Sequence, residues 1–253
     1  MKIGLIQHNP TWENKGANKK KITSLLDESS GDVDLLIFPE MTLTGFSMRS
    51  ESFAEEIDGE SFKYFASLAE KFNCNIIAGI IQKKSGNYFN TSIHIEKNGK
   101  LKNHYHKIHP FAFSDEDKHF SAGDKPVITG IDNWKTGLSI CYDLRFPELY
   151  RFYAKEKVDL IVVIANWPDT RIEHWRTLLK ARAIENQCYV AGVNRVGKDP
   201  ELNYTGFSSI YDPMGKEIVA VESEEKFIFA KIDISEVEKV RSRLPFLEDM
   251  KLI

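Results

Sequence analysis

The chain has 253 residues, of which 42% are apolar and 28% charged, with 34 Lys and Arg against 37 Asp and Glu for a net charge of −3. Sixteen Phe, nine Tyr and four Trp carry too much apolar surface for a disordered chain, and the absence of a basic excess excludes a general nucleic-acid binder. Its three cysteines, Cys74, Cys141 and Cys188, make neither a disulfide framework nor a CxxC metal knuckle.

The opening MKIGLIQHNP has an apolar stretch too short for a signal peptide, and no run approaches the ~18 apolar residues of a membrane helix. The expectation is a soluble cytoplasmic protein with reduced thiols and no membrane partner. Residues 2–7 read as a strand. Residues 17–26 read as a helix with Ile22, Leu25 and Leu26 on one side; Lys19, Lys20 and Lys21 fit a solvated face better than a phosphate or membrane patch. The run VDLLIF at 33–38 is too continuously apolar for a half-wet sheet and predicts a buried strand. A helix over 61–72 and a strand over 75–81 follow. Strand-like runs over 88–97 and 100–107 flank Asn98-Gly99, a strong hairpin signal.

A strand over 136–140 runs into Cys141. A helix over 147–155 then has Pro147 in its first turn. VDLIVVIA at 158–165 predicts a second buried strand, 125 residues after the first VDL run. A helix over 172–186, a strand over 189–195 and a second hairpin around Asp212-Pro213-Met214-Gly215 come next. A strand over 227–232 and a short helix over 235–243 close the pattern. Pro, Gly and Ser never cluster beyond turn length, so one domain over 1–253 is expected. Alternating strands and helices interrupted by hairpins point to an α/β protein with mixed sheets. The paired VDL strands fit either two equivalent βα halves or chance.

Three strand ends carry candidate chemistry. Cys141 ends a buried strand just before a helix, where a side chain projects into the usual α/β crevice. The nearby helix N-terminus is expected to favour a thiolate. From position alone, nucleophile and small core residue remain equally open. Cys74 and Cys188 enter strands without a polar surround and read as core. Glu40 ends VDLLIFPE, where partial burial would suit a general base, although an ordinary loop glutamate fits the spacing too. Lys107 closes the hairpin, where an ammonium can stabilise an oxyanion or a neighbouring thiolate.

His104, His106, His109 and His119 leave a metal site or a Cys141–His dyad as lesser alternatives. HExxH is absent, and no Cys or carboxylate stands at ligand spacing with them. The stretch Gly137-Leu138-Ser139-Ile140-Cys141 has Cys where a GxSxG elbow needs its second Gly. Without a P-loop or GxGxxG, no nucleotide cofactor is indicated.

The ordered set Glu, Lys, Cys, in IFPEMTLTGF (37–46), HYHKIHPF (104–111) and LSICYDLRFPE (138–148), resembles the nitrilase superfamily of carbon–nitrogen hydrolases. EDKHFSAGD (116–124) resembles the family segment whose first Glu, here Glu116, is a second active-site carboxylate. AlaAsnTrpPro at 165–168, HisTrp at 174–175 and ARAIENQCYVAGVNRVGKD at 181–199 look like the bacterial ω-amidase branch. The resemblance implies a four-layer α-β-β-α sandwich of two mixed β-sheets with internal pseudo-symmetry, and a homodimer. It implies hydrolysis of the terminal amide of small 2-oxoacid amides such as 2-oxoglutaramate or 2-oxosuccinamate, without cofactor or metal. Cys141 would be the nucleophile, Glu40 the base, and Lys107 with the backbone N–H of Tyr142 the oxyanion donors; Glu116 would hold Lys107. Arg145 is the candidate for the substrate carboxylate because a guanidinium pairs it bidentately, unless it is tied to Glu148 or Asp143. Phe46, Phe111 and Trp167 are the candidate apolar walls, with core packing the other reading of Trp167. An N-carbamoyl hydrolase, a deaminated-glutathione amidase or an idle scaffold protein would share much of this pattern.

Overall fold

The computed structural model describes residues 1–28 and 32–252. Its first half contains β1 (Lys2–Gln7), α1 (Lys15–Asp27), β2 (Leu35–Ile37), α2 (Ser50–Phe53), α3 (Glu60–Phe72), β3 (Asn75–Lys84), β4 (Asn87–Ile95) and β5 (Leu101–His106). The second half contains α4 (Glu116–His119), β6 (Ile128–Ile131), β7 (Trp134–Ile140), α5 (Pro147–Lys155), β8 (Leu160–Ala165), α6 (Ile172–Asn186), β9 (Tyr189–Asn194), β10 (Val196–Lys198), β11 (Asn203–Tyr211), β12 (Glu217–Glu222), β13 (Lys226–Lys231) and α7 (Ile234–Arg243).

One sheet runs β13-β1-β2-β3-β4-β5, and the other β6-β7-β8-β9-β11 with β10 and β12 both on β11. Each sheet has three parallel strands at its heart, β1-β2-β3 and β7-β8-β9, flanked by antiparallel neighbours. The two VDL runs lead into the middle strands, β2 and β8, and the shared Asp has a shared task. Asp34 Oδ2 accepts the N–H of Lys2 at 2.6 Å, and Asp159 Oδ2 accepts that of Lys135 at 2.9 Å. Each Asp ties its strand to the preceding one, so the repeat has a physical cause.

Side-chain alternation sorts the layers. In the first sheet Ile3, Leu5, Leu35, Ile37 and Ile77 face the second sheet and join Leu138, Ile140, Leu160 and Val162 in one core. Their neighbours Ile6, Leu36, Phe38, Ile76 and Ala78 face outward onto Ile22 and Leu26 of α1 and Phe65, Leu68 and Ala69 of α3. Tyr150 and Tyr153 of α5 and Trp175, Leu179 and Ala183 of α6 cover the other sheet. The order of layers is helix, sheet, sheet, helix, the sandwich expected.

Local chemistry sets the boundaries. Asn14 caps α1 by accepting the N–H of Ala17 at 2.9 Å. At Asn98-Gly99, Gly99 has φ +77° and donates its N–H to Glu96 O at 2.8 Å. Gly215 closes the 212–215 turn on Asp212 O at 2.8 Å. One hairpin was not foreseen: β3 continues to Lys84 and turns through Ser85 and Gly86, both with positive φ, into β4. Among the described residues no helix is long and apolar enough to cross a membrane.

Candidate active site

Four chain segments converge at one corner of the sandwich. Glu40 lies just past β2, where the chain lies across Gly79 of β3. Thr42 N–H donates to Gly79 O at 3.0 Å, and Gly79 N–H donates to Pro39 O at 3.2 Å. A Cβ on Gly79 would stand 2.6 Å from Glu40 Cα, so this approach requires glycine. Lys107 follows β5 and donates its N–H to Asn90 O of β4 at 2.9 Å. Glu116 opens α4. Cys141 follows β7 and begins a 3₁₀ turn, Cys141–Arg145.

The charged groups form a dry network. Glu40 and Glu116 have no exposed surface, and Lys107 almost none. Lys107 Nζ donates to Glu40 Oε1 at 2.9 Å and to Glu116 Oε2 at 2.8 Å. Asn90 Nδ2 bridges the same carboxylates, donating to Glu40 Oε1 at 2.6 Å and Glu116 Oε1 at 2.8 Å. Asn166 N–H donates to Glu40 Oε2 at 2.8 Å, and Phe111 N–H to Glu116 Oε2 at 2.6 Å. Burial alone would lower the Lys107 pKa, but Glu116 and Glu40 reverse this and hold it above its ordinary value. Burial raises the Glu116 pKa, against the pull of Lys107.

Cys141 has φ +46°, a left-handed conformation that costs energy for a side-chain-bearing residue. Asp143 holds the turn in place. Its Oδ2 accepts Ile140 N–H at 2.9 Å and Tyr105 OH at 2.8 Å; its Oδ1 accepts His109 N–H at 3.0 Å and pairs with His109 Nδ1 at 2.8 Å. Cys141 is buried but lines the cleft that opens beside it. Burial pushes the thiol well above its ordinary pKa and Glu40 adds to this, while Lys107 opposes it. The expectation of a thiolate favoured by a helix N-terminus is therefore corrected. The first turn after Cys141 is a short 3₁₀ segment, and desolvation with two carboxylates outweighs it.

Above the thiol lies a cleft of about 520 Å³, lined by Cys141, Tyr142, Arg145, Phe46, Phe111 and Trp167 among others. Trp167 is 2% exposed and is both core and wall. Its indole N–H donates to Arg171 O at 2.8 Å, and the Arg145 guanidinium lies 4.7 Å from its ring centre. Arg145 contacts His174 Nδ1 at 3.2 and 3.3 Å, and among the described residues it forms no ion pair with Glu148 or Asp143. Arg171, not anticipated from the sequence, lines the same cleft over the Phe111 ring at 5.6 Å. Burial and the Arg171 charge both lower the Arg145 pKa, so the two guanidinia feel each other. Tyr142 is the second residue of the 3₁₀ turn, and N–H groups at the start of a helical segment have no intrahelical acceptor.

The remaining candidates sort by their partners. His109 belongs to Asp143 and stacks on Phe146 at 3.8 Å. His106 bonds Gln82 Oε1 at 2.9 Å and stacks on Phe89 at 4.1 Å. The Cys141 thiol donates to Asn166 O at 3.9 Å, and among the described residues no histidine bonds it, which leaves the Cys–His dyad without support. Among the described residues, no group of three His, Cys, Asp or Glu side chains could hold a metal ion. Cys74 and Cys188 are core residues whose thiols burial pushes up to about 12.

A family model for carbon–nitrogen hydrolases matches residues 2–242. A 2-oxoglutaramate amidase of Bacillus subtilis (strain 168) is 33% identical over 251 residues, covering 98% of this chain and 97% of its own length. An omega-amidase of Escherichia coli (strain K12) is 32% identical over 98% of this chain and 96% of its own. Among solved structures, a CN-hydrolase superfamily protein from Xanthomonas campestris, with an arsenic adduct in its active site, superposes with a TM-score of 0.95 at 32% identity. It covers 100% of this chain and 98% of that one.

Proposed function

This chain belongs to the carbon–nitrogen hydrolase family, and from that premise we propose that it is an ω-amidase hydrolysing the terminal amide of small 2-oxoacid amides through a Cys141 thioester. The observation that carries this reading is the buried Lys107 ammonium. It gives two of its three N–H bonds to Glu40 and Glu116, lies over the Phe46 ring of the cleft at 5.3 Å, and has a third N–H that neither carboxylate takes.

The proposed reaction follows from these atoms. The Cys141 thiol loses its proton to Glu40 as sulfur attacks the amide carbon. The carbonyl oxygen takes the electron pair, and Lys107 Nζ and the Tyr142 N–H stabilise it; each such donor is worth about 3 kcal/mol of barrier. When the tetrahedral centre collapses, the C–N bond breaks and Glu40 returns the proton to nitrogen, releasing ammonia. A water then gives its proton to Glu40 and attacks the thioester. The second collapse releases the carboxylic acid and the sulfur regains its proton. Glu116 keeps Lys107 in place throughout. Burial holds the thiol pKa above its ordinary value, which favours transfer of its proton to Glu40 in concert with attack.

Arg145 and Arg171 stand over the Trp167 and Phe111 rings in a cleft that Arg49, Glu13, Asp115, Asp199 and Glu201 also line; the paired guanidinia support a substrate with a carboxylate beyond its reacting amide. Ammonia release from 2-oxoglutaramate, 2-oxosuccinamate, an N-carbamoyl amino acid and a γ-glutamyl-type amide tests the assignment. The 2-oxoacid amides are expected to have the highest kcat/KM. Faster carbamoyl or γ-glutamyl turnover would reassign the substrate, and no release from any of them would favour a binding protein. Arg145→Lys and Arg171→Gln are each expected to lose about 10- to 100-fold in kcat/KM on 2-oxoglutaramate, the worth of a charged hydrogen bond, and under about twofold on neutral butyramide. Trp167 remains anchored in the second variant because its acceptor is the Arg171 backbone oxygen. Equal losses on both amides would mean structural damage and would contradict the recognition role.

A further inference from the structure

Asn90 is buried in β4, between two carboxylates from distant parts of the chain. Two acceptors opposite one amide select its Nδ2 side, which sends one N–H to each. Its own Oδ1 is buried with no hydrogen-bond partner. An unpaired buried carbonyl is unfavourable, so the value of this side chain lies in its two donors.

The bonds can be counted atom by atom. Glu40 Oε1 accepts from Lys107 Nζ and from Asn90 Nδ2, which fills both of its lone pairs. Glu40 Oε2 accepts one short bond, from Asn166 N–H at 2.8 Å; the second approach, from Asn166 Nδ2, is at 3.5 Å. Glu116 has the mirrored pattern: Oε2 is filled by Lys107 and Phe111 N–H, while Oε1 accepts from Asn90 alone.

We propose that Asn90 is a positioning residue that completes Glu40 Oε1, leaving Oε2 as the one proton-accepting atom of that carboxylate, and that ties Glu116 back from competing for the proton. The proposal rests on the reading of Glu40 as the base. The groups facing this pair are Lys107 after β5 and Cys141 after β7, each carboxylate also facing the other. The bond from Asn90 is one of the influences that lower the Glu116 pKa against burial. Removing both donors makes the carboxylate pair easier to protonate, so the base is lost at a higher pH.

The test uses Asn90→Leu, of similar size without donors, and Asn90→Ser, which retains one hydroxyl. Alkylation of Cys141 by iodoacetamide is followed against pH without substrate, and kcat and KM for 2-oxoglutaramate are followed in parallel. The acid limb of both profiles is expected to move up by about one pH unit in Asn90→Leu and less in Asn90→Ser. At pH 7 kcat should fall about tenfold or more while KM stays within about twofold. An unmoved acid limb in the soluble variants, or a loss confined to KM, would overturn the proposal. If Asn90→Leu fails to fold, Asn90→Ser alone decides by the same limb. A Cys141→Ala protein that still releases ammonia would instead sink the underlying reading of the site. The alkylation profile, which needs no turnover, separates these two failures.

Discussion

Replacing Cys141 with alanine is expected to lower kcat/KM for 2-oxoglutaramate by about 10⁴-fold or more, since removing the proposed covalent nucleophile leaves only binding and oxyanion stabilisation. The fold should tolerate the change. Alanine loses only the sulfur, the left-handed turn is held by Asp143 through Ile140 N–H and Tyr105, and neither partner depends on the thiol. The thermal midpoint should shift by only a few degrees, because only the weak thiol bond to Asn166 O at 3.9 Å is lost and no large cavity is created. Steady-state ammonia release and differential scanning calorimetry measure the two effects. Retained turnover with a normal midpoint would remove Cys141 from the chemistry.

Lys107→Met is expected to damage both activity and fold, because the proposed oxyanion donor is also the cation of the buried network. Loss of an oxyanion donor alone costs about 10²- to 10³-fold in kcat. The same change leaves Glu40 and Glu116 buried without their cation, and breaking a buried pair from one side costs about 3–5 kcal/mol of stability. For a chain of this size that corresponds to a fall in Tm of about 10 °C. The pH dependence has a definite sign. Burial already raises Glu116, and Lys107 opposes that rise; without Lys107 the folded state holds a proton on this carboxyl at pH values where the unfolded chain has released it. The folded state then binds more protons than the unfolded one, so stability falls as pH increases. The variant should therefore be less impaired at pH 5 than at pH 8. A Tm deficit that is the same at both would contradict the account of the buried network.

Strand-end residues were legible in the sequence because their neighbours announce them. VDLLIFPE shows a buried strand stopped by proline before Glu40, and LSICYDLRFPE shows one stopped before a turn. The paired VDL runs lead into topologically equivalent strands, with Asp34 and Asp159 repeating one hydrogen bond. Asn90 was not legible. It sits within a strand, and its partners lie 50 and 26 residues away, so no local pattern marks it. Asp143 is visible only as an acidic residue near Arg145, yet it gathers Tyr105, His109 and Ile140 around the turn that begins at Cys141. Arg171 is hidden for a similar reason: its place opposite Arg145 depends on Trp167 and Phe111 packing beneath the two guanidinia. The thiol's pKa runs opposite to the expectation because helix polarity is local and can be seen in sequence, whereas the burial that raises it, and the Glu40 charge that adds to this, come from the tertiary fold.

The proposed reaction passes through a covalent acyl group on Cys141. Mixing the enzyme with 2-oxoglutaramate, quenching in acid within milliseconds and measuring intact mass and peptide mass tests it directly. The expected result is an added mass equal to 2-oxoglutaramate less ammonia, carried on the peptide containing Cys141 and absent from Cys141→Ala. Turnover at an undiminished rate in Cys141→Ala, or an adduct carried on Cys74 or Cys188, would contradict it.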